Sequence, residues 1–132
     1  MPVIDRTETL AAFAGGVAGA IARTILVRAI PHVATEWPWA TFCANLSGAF
    51  VLGAVAVRFP RGPGRRGAPR ALLGTGLCGA LTTFSTLQVE LVLMLAAGCV
   101  GLAVGYAAAS VCGGLLMVWG GDRLARSQGW SA

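Results

Sequence analysis

Thr82, Thr83, Ser85 and Thr86 put four hydroxyls almost back to back in the otherwise apolar run from Ala71 to Ala97, with Gly74, Gly76 and Gly79 just upstream and Phe84 among them. Such a run competes with the helix for backbone hydrogen bonds. In a bilayer, an interrupted helix is tolerated only where the freed groups face protein or a wet cavity. The chemistry on offer is that of handling a small ion. Hydroxyls donate to an anion, freed carbonyls hold a cation, and the edge of a phenylalanine ring carries the positive part of its quadrupole. The plainer alternative is a helix whose Ser and Thr side chains bond back to their own carbonyls. The clustering of these hydroxyls argues against it.

Other polar side chains stand at helical spacing in apolar surroundings. Thr41, Asn45 and Gly48 fall at i, i+4 and i+7, and so share one helix face. A carboxamide at membrane depth is costly unless bonded, and the N–H donors of Asn45 can serve either a neighbouring carbonyl or a passing anion. Tyr106 and Ser110 share another face, continued by Gly113 and Gly114, and extend a polar stripe across the membrane. Arg23 follows Gly15 and Gly19, a small-residue face that lets another backbone approach closely. An ionised arginine within a span costs roughly 2.5–3.5 kcal/mol unless it finds partners or snorkels to the interface. Glu90 is the only acid inside an apolar span, whereas His32, the only histidine, reads as an ordinary loop residue.

These side chains need elements to carry them, and the composition states which. The chain has 132 residues, 56% of them hydrophobic and only 11% charged, with a mean hydropathy of +0.74. That is one all-α membrane domain over residues 1–132, with apolar stretches at about 10–30, 39–57, 71–97 and 99–120. At roughly 1.5 Å per residue, each can cross a hydrocarbon core of roughly 30 Å. Asp5, Arg6 and Glu8 do not make the basic start of a signal peptide, so the first stretch reads as a helix. Trp37 and Trp39, near Pro31 and Pro38, fit an interfacial aromatic belt.

The net charge of +5 could suggest nucleic acid, but Arg58, Arg61, Arg65, Arg66 and Arg70 crowd one loop between spans, and membrane topology accounts for them. Cys43, Cys78, Cys99 and Cys112 form no C-x-x-C pair, and they read as buried small side chains rather than as metal ligands.

Taken together, these motifs resemble the Fluc or CrcB fluoride channels of bacteria. The likeness rests on Gly-Gly-x-x-Gly-Ala-x-x-Arg at 15–23, Thr-x-x-x-Asn-x-x-Gly-x-x-x-x-Gly at 41–53, and Gly-x-x-x-Thr-Thr-Phe-Ser-Thr with a downstream glutamate at 79–90. The resemblance implies a channel, not an enzyme: a multi-pass protein of the cell membrane that exports fluoride passively. It further implies an antiparallel, dual-topology dimer of four-helix subunits, the third helix broken near its middle. By that likeness Asn45, Phe84, Ser85, Tyr106 and Ser110, with Thr41, line the pores. Arg23 and Glu90 support the vestibule. The carbonyls of Gly79 and Thr82 hold one structural sodium ion that is not transported. This sequence departs from the family pattern in carrying Leu87 where a second phenylalanine is usual, and Ala40 where a glycine is usual.

Two further classes compete. A small multidrug exporter has similar size and four spans, but such exporters resemble one another in an acid within the first span, which is absent here; a non-conducting structural subunit is the other. Orientation adds a constraint of its own. With the N-terminus on one side, Arg6, Arg58, Arg61, Arg65, Arg66, Arg70, Arg123 and Arg126 share that side, and the other has at most Arg28. So large a bias places both termini in the cytoplasm and disfavours one chain inserting both ways. The favoured partner is therefore a related chain of opposite orientation, with an identical copy inserting both ways as the alternative, alongside fluoride and the lipid bilayer, with no nucleic acid.

Overall fold

Asp5 starts the first helix: its carboxylate accepts the backbone N–H of Thr7 at 2.8 Å, capping a donor that the helix cannot satisfy itself. The computed structural model describes residues 5–59 and 67–129, so Arg61, Arg65 and Arg66 lie outside the described residues. Within these, every regular element is helical, and four segments are long and apolar enough to cross a membrane: Arg6–Ala29, Trp39–Arg58, Ala68–Ala96 and Val100–Ser127. The cap at Asp5 carries the first helix one turn further toward the N-terminus than the apolar pattern alone suggests. The last helix runs on to Ser127, because Asp122 and Arg126, one turn apart, pair at 2.9 Å along its exposed end. At 28 residues it outreaches the hydrocarbon, and Arg123 lies over the ring of Trp119, 4.8 Å from its centroid, where aromatic and basic side chains meet the headgroups.

The second helix is the centre of the subunit. In its most apolar window 39% of residues are buried, against 11% in the first and last helices, and the outer pair leave stripes such as Leu10, Phe13, Val17 and Ile21 uncovered by protein. Close approach depends on glycine. A methyl group at Gly15 would fall onto the carbonyl oxygen of Leu72, and one at Gly76 onto that of Ala12. The first helix and the start of the third span thus touch backbone to backbone. Cys78 is buried, whereas Cys43 and Cys112 are exposed. The expectation of four buried cysteines fails for those two because their helix faces are not covered by this chain.

The third span is not uniform. Its first turn, Ala68–Arg70, is α-helical, Ala71–Cys78 is wound more widely as a π-helix, and Gly79–Leu81 returns to α. Thr82 and Thr83 are extended, with ψ of 152° and 117°, and a new helix begins at Phe84 and ends at Ala96. The turn into the last helix is tight. Gly98, at φ 77°, donates to Leu95 O at 3.0 Å, and Cys99 donates to Met94 O at 2.9 Å. This pair of bonds closes a helix end only when the residue between them adopts the left-handed conformation that glycine allows.

A compact core sits beside that turn. Met94, Ala103 and Tyr106 are buried together, with Trp37, Phe42, Leu87, Leu91, Cys99 and Leu102 packed around them. Trp37 meets Tyr106 edge to face at 5.4 Å and Phe42 likewise at 5.4 Å. Of the two tryptophans expected at the interface, Trp39 is 53% exposed, but Trp37 packs inward and roofs the core.

Candidate functional site

The extended pair at Thr82 and Thr83 frees backbone groups that a continuous helix would bond, and both polar groups of the Thr83 backbone acquire a partner from nearby. Asn45, on the second helix, faces Thr83 with both ends of its amide. Its Oδ1 accepts the Thr83 N–H at 2.7 Å, and its Nδ2 donates to the Thr83 carbonyl at 3.2 Å. Of the two uses the sequence leaves open for this amide, the neighbouring backbone claims one N–H and the oxygen. Gly48, one turn further along the same helix, makes room: a methyl there would collide with Cγ2 of Thr82.

The hydroxyls around the interruption do local work. Thr83 caps the new helix, its Oγ1 accepting the Thr86 N–H at 3.2 Å and donating to the Thr86 hydroxyl at 2.9 Å. Ser85 Oγ lies 3.3 Å from the same oxygen. Thr82 Oγ1 bonds back to the Cys78 carbonyl at 2.9 Å. Two carbonyls lose their helical partners as a result. The Thr83 N–H, which would close onto Gly79, goes to Asn45, and the Thr86 N–H, which would close onto Thr82, goes to the Thr83 hydroxyl. Arg23 reaches from the first helix to the Thr82 carbonyl, with Nη1 at 3.5 Å.

A second polar cluster lies closer to the turn at Gly98. Glu90 is 6% exposed and accepts from two hydroxyls, that of Thr41 to Oε1 at 2.5 Å and that of Tyr106 to Oε2 at 2.7 Å. His32 Nε2 stands 3.6 Å from Oε1. A carboxylate taken out of water needs this many partners, because an unpaired buried charge costs several kcal/mol.

Between the interruption and the last helix runs an open groove of about 410 Å³, whose lining includes Asn45, Gly79, Thr82, Phe84, Leu87 and Ser110. Phe84 is 73% exposed, and Gly79 and Ser85 are also open. Ser110 Oγ is buried with no hydrogen-bond partner among the described residues.

The residues expected along one pathway therefore divide. Asn45, Phe84 and Ser110 share the groove with Gly79 and Thr82, and Ser85 sits beside it on the exposed face. Thr41 and Tyr106, 2% and 0% exposed, turn instead to Glu90. Arg23 joins the interruption rather than Glu90. His32 was read as an ordinary loop residue and belongs to the Glu90 cluster. A signal for it existed: Glu90 is the only acid at depth and has no basic residue within the span around it, so its polar partners had to come from other elements.

Comparison with known proteins adds a family and relatives. Residues 10–122 match the family described as "CrcB-like protein, Camphor Resistance (CrcB)". The chain is 49% identical over 119 residues, 89% of each chain, to "Fluoride-specific ion channel FluC 1" of Mycobacterium bovis. It is 43% identical over 122 residues, 92% of each chain, to the protein of the same name from Mycolicibacterium paratuberculosis. To "Fluoride-specific ion channel FluC" of Phenylobacterium zucineum it is 39% identical over 115 residues, 86% of this chain and 91% of the relative.

Proposed function

The chain belongs to the CrcB-like family, and from that membership we propose that it is a fluoride-specific ion channel, a multi-pass membrane protein that passively exports fluoride from the cytoplasm. The observation that carries the reading is its 49% identity, across 89% of both chains, to a relative named for that activity. The geometry supports an anion path along the groove. A small, strongly hydrated anion must exchange water for several weak donors, so that it enters without being trapped. The second N–H of Asn45, the unpartnered hydroxyl of Ser110, the open Ser85 and the edge of Phe84 are donors of that kind. Thr41 and Tyr106 hold Glu90 in a buried polar cluster beside that path, and Arg23 supports the approach from the first helix.

The carbonyls of Gly79 and Thr82 suit a structural sodium ion, because both have lost their helical N–H partners at the same interruption. Two oxygens from one chain are too few for a hard cation. A second, antiparallel subunit supplying the matching pair completes the set, and Gly79 lies on the open face where such a subunit would dock. The ion would supply fixed positive charge and a cross-link between subunits, and is not itself carried.

The arginine bias orients this chain with both termini in the cytoplasm, so its partner is a related chain of opposite orientation. Leu87 is tolerated in this arrangement, since one pore can lose a ring while the other keeps its own.

Purified protein in proteoliposomes is expected to give a fast, passive, voltage-driven fluoride leak that rejects chloride by a wide margin. Equal fluoride and chloride currents would remove the reading, and comparable inside and outside labelling of a tagged C-terminus in whole cells would replace the unlike partner with an identical one.

A further inference from the structure

The arginines of this chain are not spread evenly over it. The first helix and the third span run side by side in the same direction, since Gly15 abuts Leu72 and Gly19 abuts Leu77. The second and last helices do the same, with Gly113 against Leu46 and Gly121 against Phe50, and the turn at Gly98 reverses the chain from one pair to the other. The starts of one pair and the ends of the other therefore share one end of the molecule. Arg6, Arg58, Arg70, Arg123 and Arg126 gather there. The connection between Arg58 and Ala68, largely outside the described residues, adds Arg61, Arg65 and Arg66 in sequence. The acids on that side are Asp5, Glu8 and Asp122, whereas in the rest of the chain Arg23 and Arg28 are matched by Glu36 and Glu90. The whole net charge of +5 thus belongs to one end.

The described part of this surface suits a membrane boundary. Arg123 lies over the ring of Trp119, 4.8 Å from its centroid, and Arg58 over that of Phe59 at 5.1 Å. Arg70 Nη1 donates to the Phe59 carbonyl at 2.9 Å, so two guanidinium groups flank one residue. Arg126 is committed to Asp122, to which it donates from both Nε and Nη2. Arg123 makes no hydrogen bond among the described residues, and the edge of its exposed guanidinium suits an oxyanion. Beside it the helix surface is apolar. Leu116 stands two residues, about half a turn, from the groove-lining Val118. It shares a face with Trp119 and Arg123 that is turned away from the groove, and Leu116 and Trp119 are 63% and 57% exposed. A stacked cation above uncovered leucine and tryptophan matches a molecule with a phosphate head and a hydrocarbon tail.

We propose that this end of the molecule binds anionic phospholipid headgroups, with Arg58, Arg70 and Arg123 meeting phosphate oxygens and acyl chains lying along Leu116 and Trp119. A zwitterionic headgroup carries its own cation and gains little from a surface of net positive charge. An anionic headgroup gains at every arginine it approaches. The apolar face that continues from Arg123 favours a lipid over a soluble phosphate, which would leave that face uncovered. On the orientation proposed above, the leaflet in question is the cytoplasmic one, where anionic lipids give a negative surface potential. The proposal holds whichever ion the groove conducts.

The test places the purified full-length protein in phosphatidylcholine vesicles with a trace of spin-labelled phosphatidylglycerol or spin-labelled phosphatidylcholine. Electron spin resonance then reads the fraction of label immobilised on the protein. The anionic lipid is expected to associate about fivefold or more tightly than the zwitterionic one, roughly the worth of one surface arginine. A variant carrying Arg58→Gln, Arg70→Gln and Arg123→Gln is expected to lose that preference, and Arg28→Gln, at the other end, to keep it. Equal association of the two lipids with the unsubstituted protein overturns the proposal, and so does a preference that survives the triple substitution. Should the triple variant not fold, Arg123→Gln decides, because it breaks no hydrogen bond among the described residues: a preference at least halved supports the proposal, and an unchanged one overturns it. Inorganic phosphate, compared with sodium chloride at equal ionic strength, is expected to leave the anionic label in place. Displacement by phosphate beyond the chloride control means a site for soluble anions and removes the lipid as its ligand. None of these readings depends on fluoride flux, so the channel reading can fail without them.

Discussion

Asn45 and Thr41 stand one turn apart on the same face of the second helix, yet they hold opposite kinds of polar group. Asn45 grips a neutral peptide unit at Thr83 from both sides. Thr41 joins Tyr106 and His32 around the charge of Glu90. The amide offers one N–H and its oxygen to the one acceptor and one donor of that peptide unit, so a single side chain serves both. A carboxylate only accepts, and has room for about four bonds, so three elements must converge on it. One helix face can thus serve a backbone break with one residue, whereas a buried charge draws in a loop and another helix. The break should be all-or-none and the charge cluster graded.

The sharpest way to break that contrast is Asn45→Leu, which keeps the volume and removes both bonds. It strands the N–H of Thr83, at about 1–3 kcal/mol, and takes one bond from its carbonyl, which as the N-cap still accepts the first bond of the new helix. Flux is expected to vanish and the melting temperature in detergent to fall clearly. An Asn45→Leu channel of unchanged stability would mean that the interruption has another source of support. Tyr106→Phe comes next. It removes one hydroxyl from Glu90 and should cost about 1.5–3 kcal/mol, with flux reduced rather than lost. Combined with Glu90→Gln, its cost should shrink, since the hydroxyl then loses its charged acceptor; strictly additive losses in a double-mutant cycle would show that the two side chains act separately. The smallest effect is expected from Arg126→Gln. It breaks the ion pair with Asp122 at the exposed end of the last helix, far from both clusters, and neither flux nor melting temperature should change measurably. A large loss there would extend the functional region to the end of the helix.

Parts of the molecule were legible in the chain because they follow from short-range rules. Hydropathy over about twenty residues marks a span wherever it occurs, and the hydroxyls and glycines from Gly74 to Thr86 mark a stretch at odds with a regular helix. The helix ends were less legible. The cap at Asp5 and the pair of Asp122 with Arg126 lengthen helices with polar residues that a hydropathy window discards. The packing of Trp37 was not legible for a related reason: tryptophan suits an interface and a core edge equally well, and only its neighbours show which rings it covers.

By itself the sequence determined four apolar helices, the segment with the hydroxyl-rich interruption, one acid at depth and membership of a family, since each is written in residues close together or in motifs carried whole. Only the tertiary structure decided which donor meets which acceptor. Asn45 and Thr83 are 38 positions apart and Thr41 and Glu90 are 49 apart, while His32 reaches Glu90 from a loop whose composition says nothing of where it lies. Helical spacing tells which residues share a face, but how each helix is rotated about its axis is set by packing. Here the second and last helices meet backbone to backbone at Gly53 and Gly121, and Gly48 admits the Thr82 side chain; in that packing Asn45 faces the interruption and Thr41 the acid.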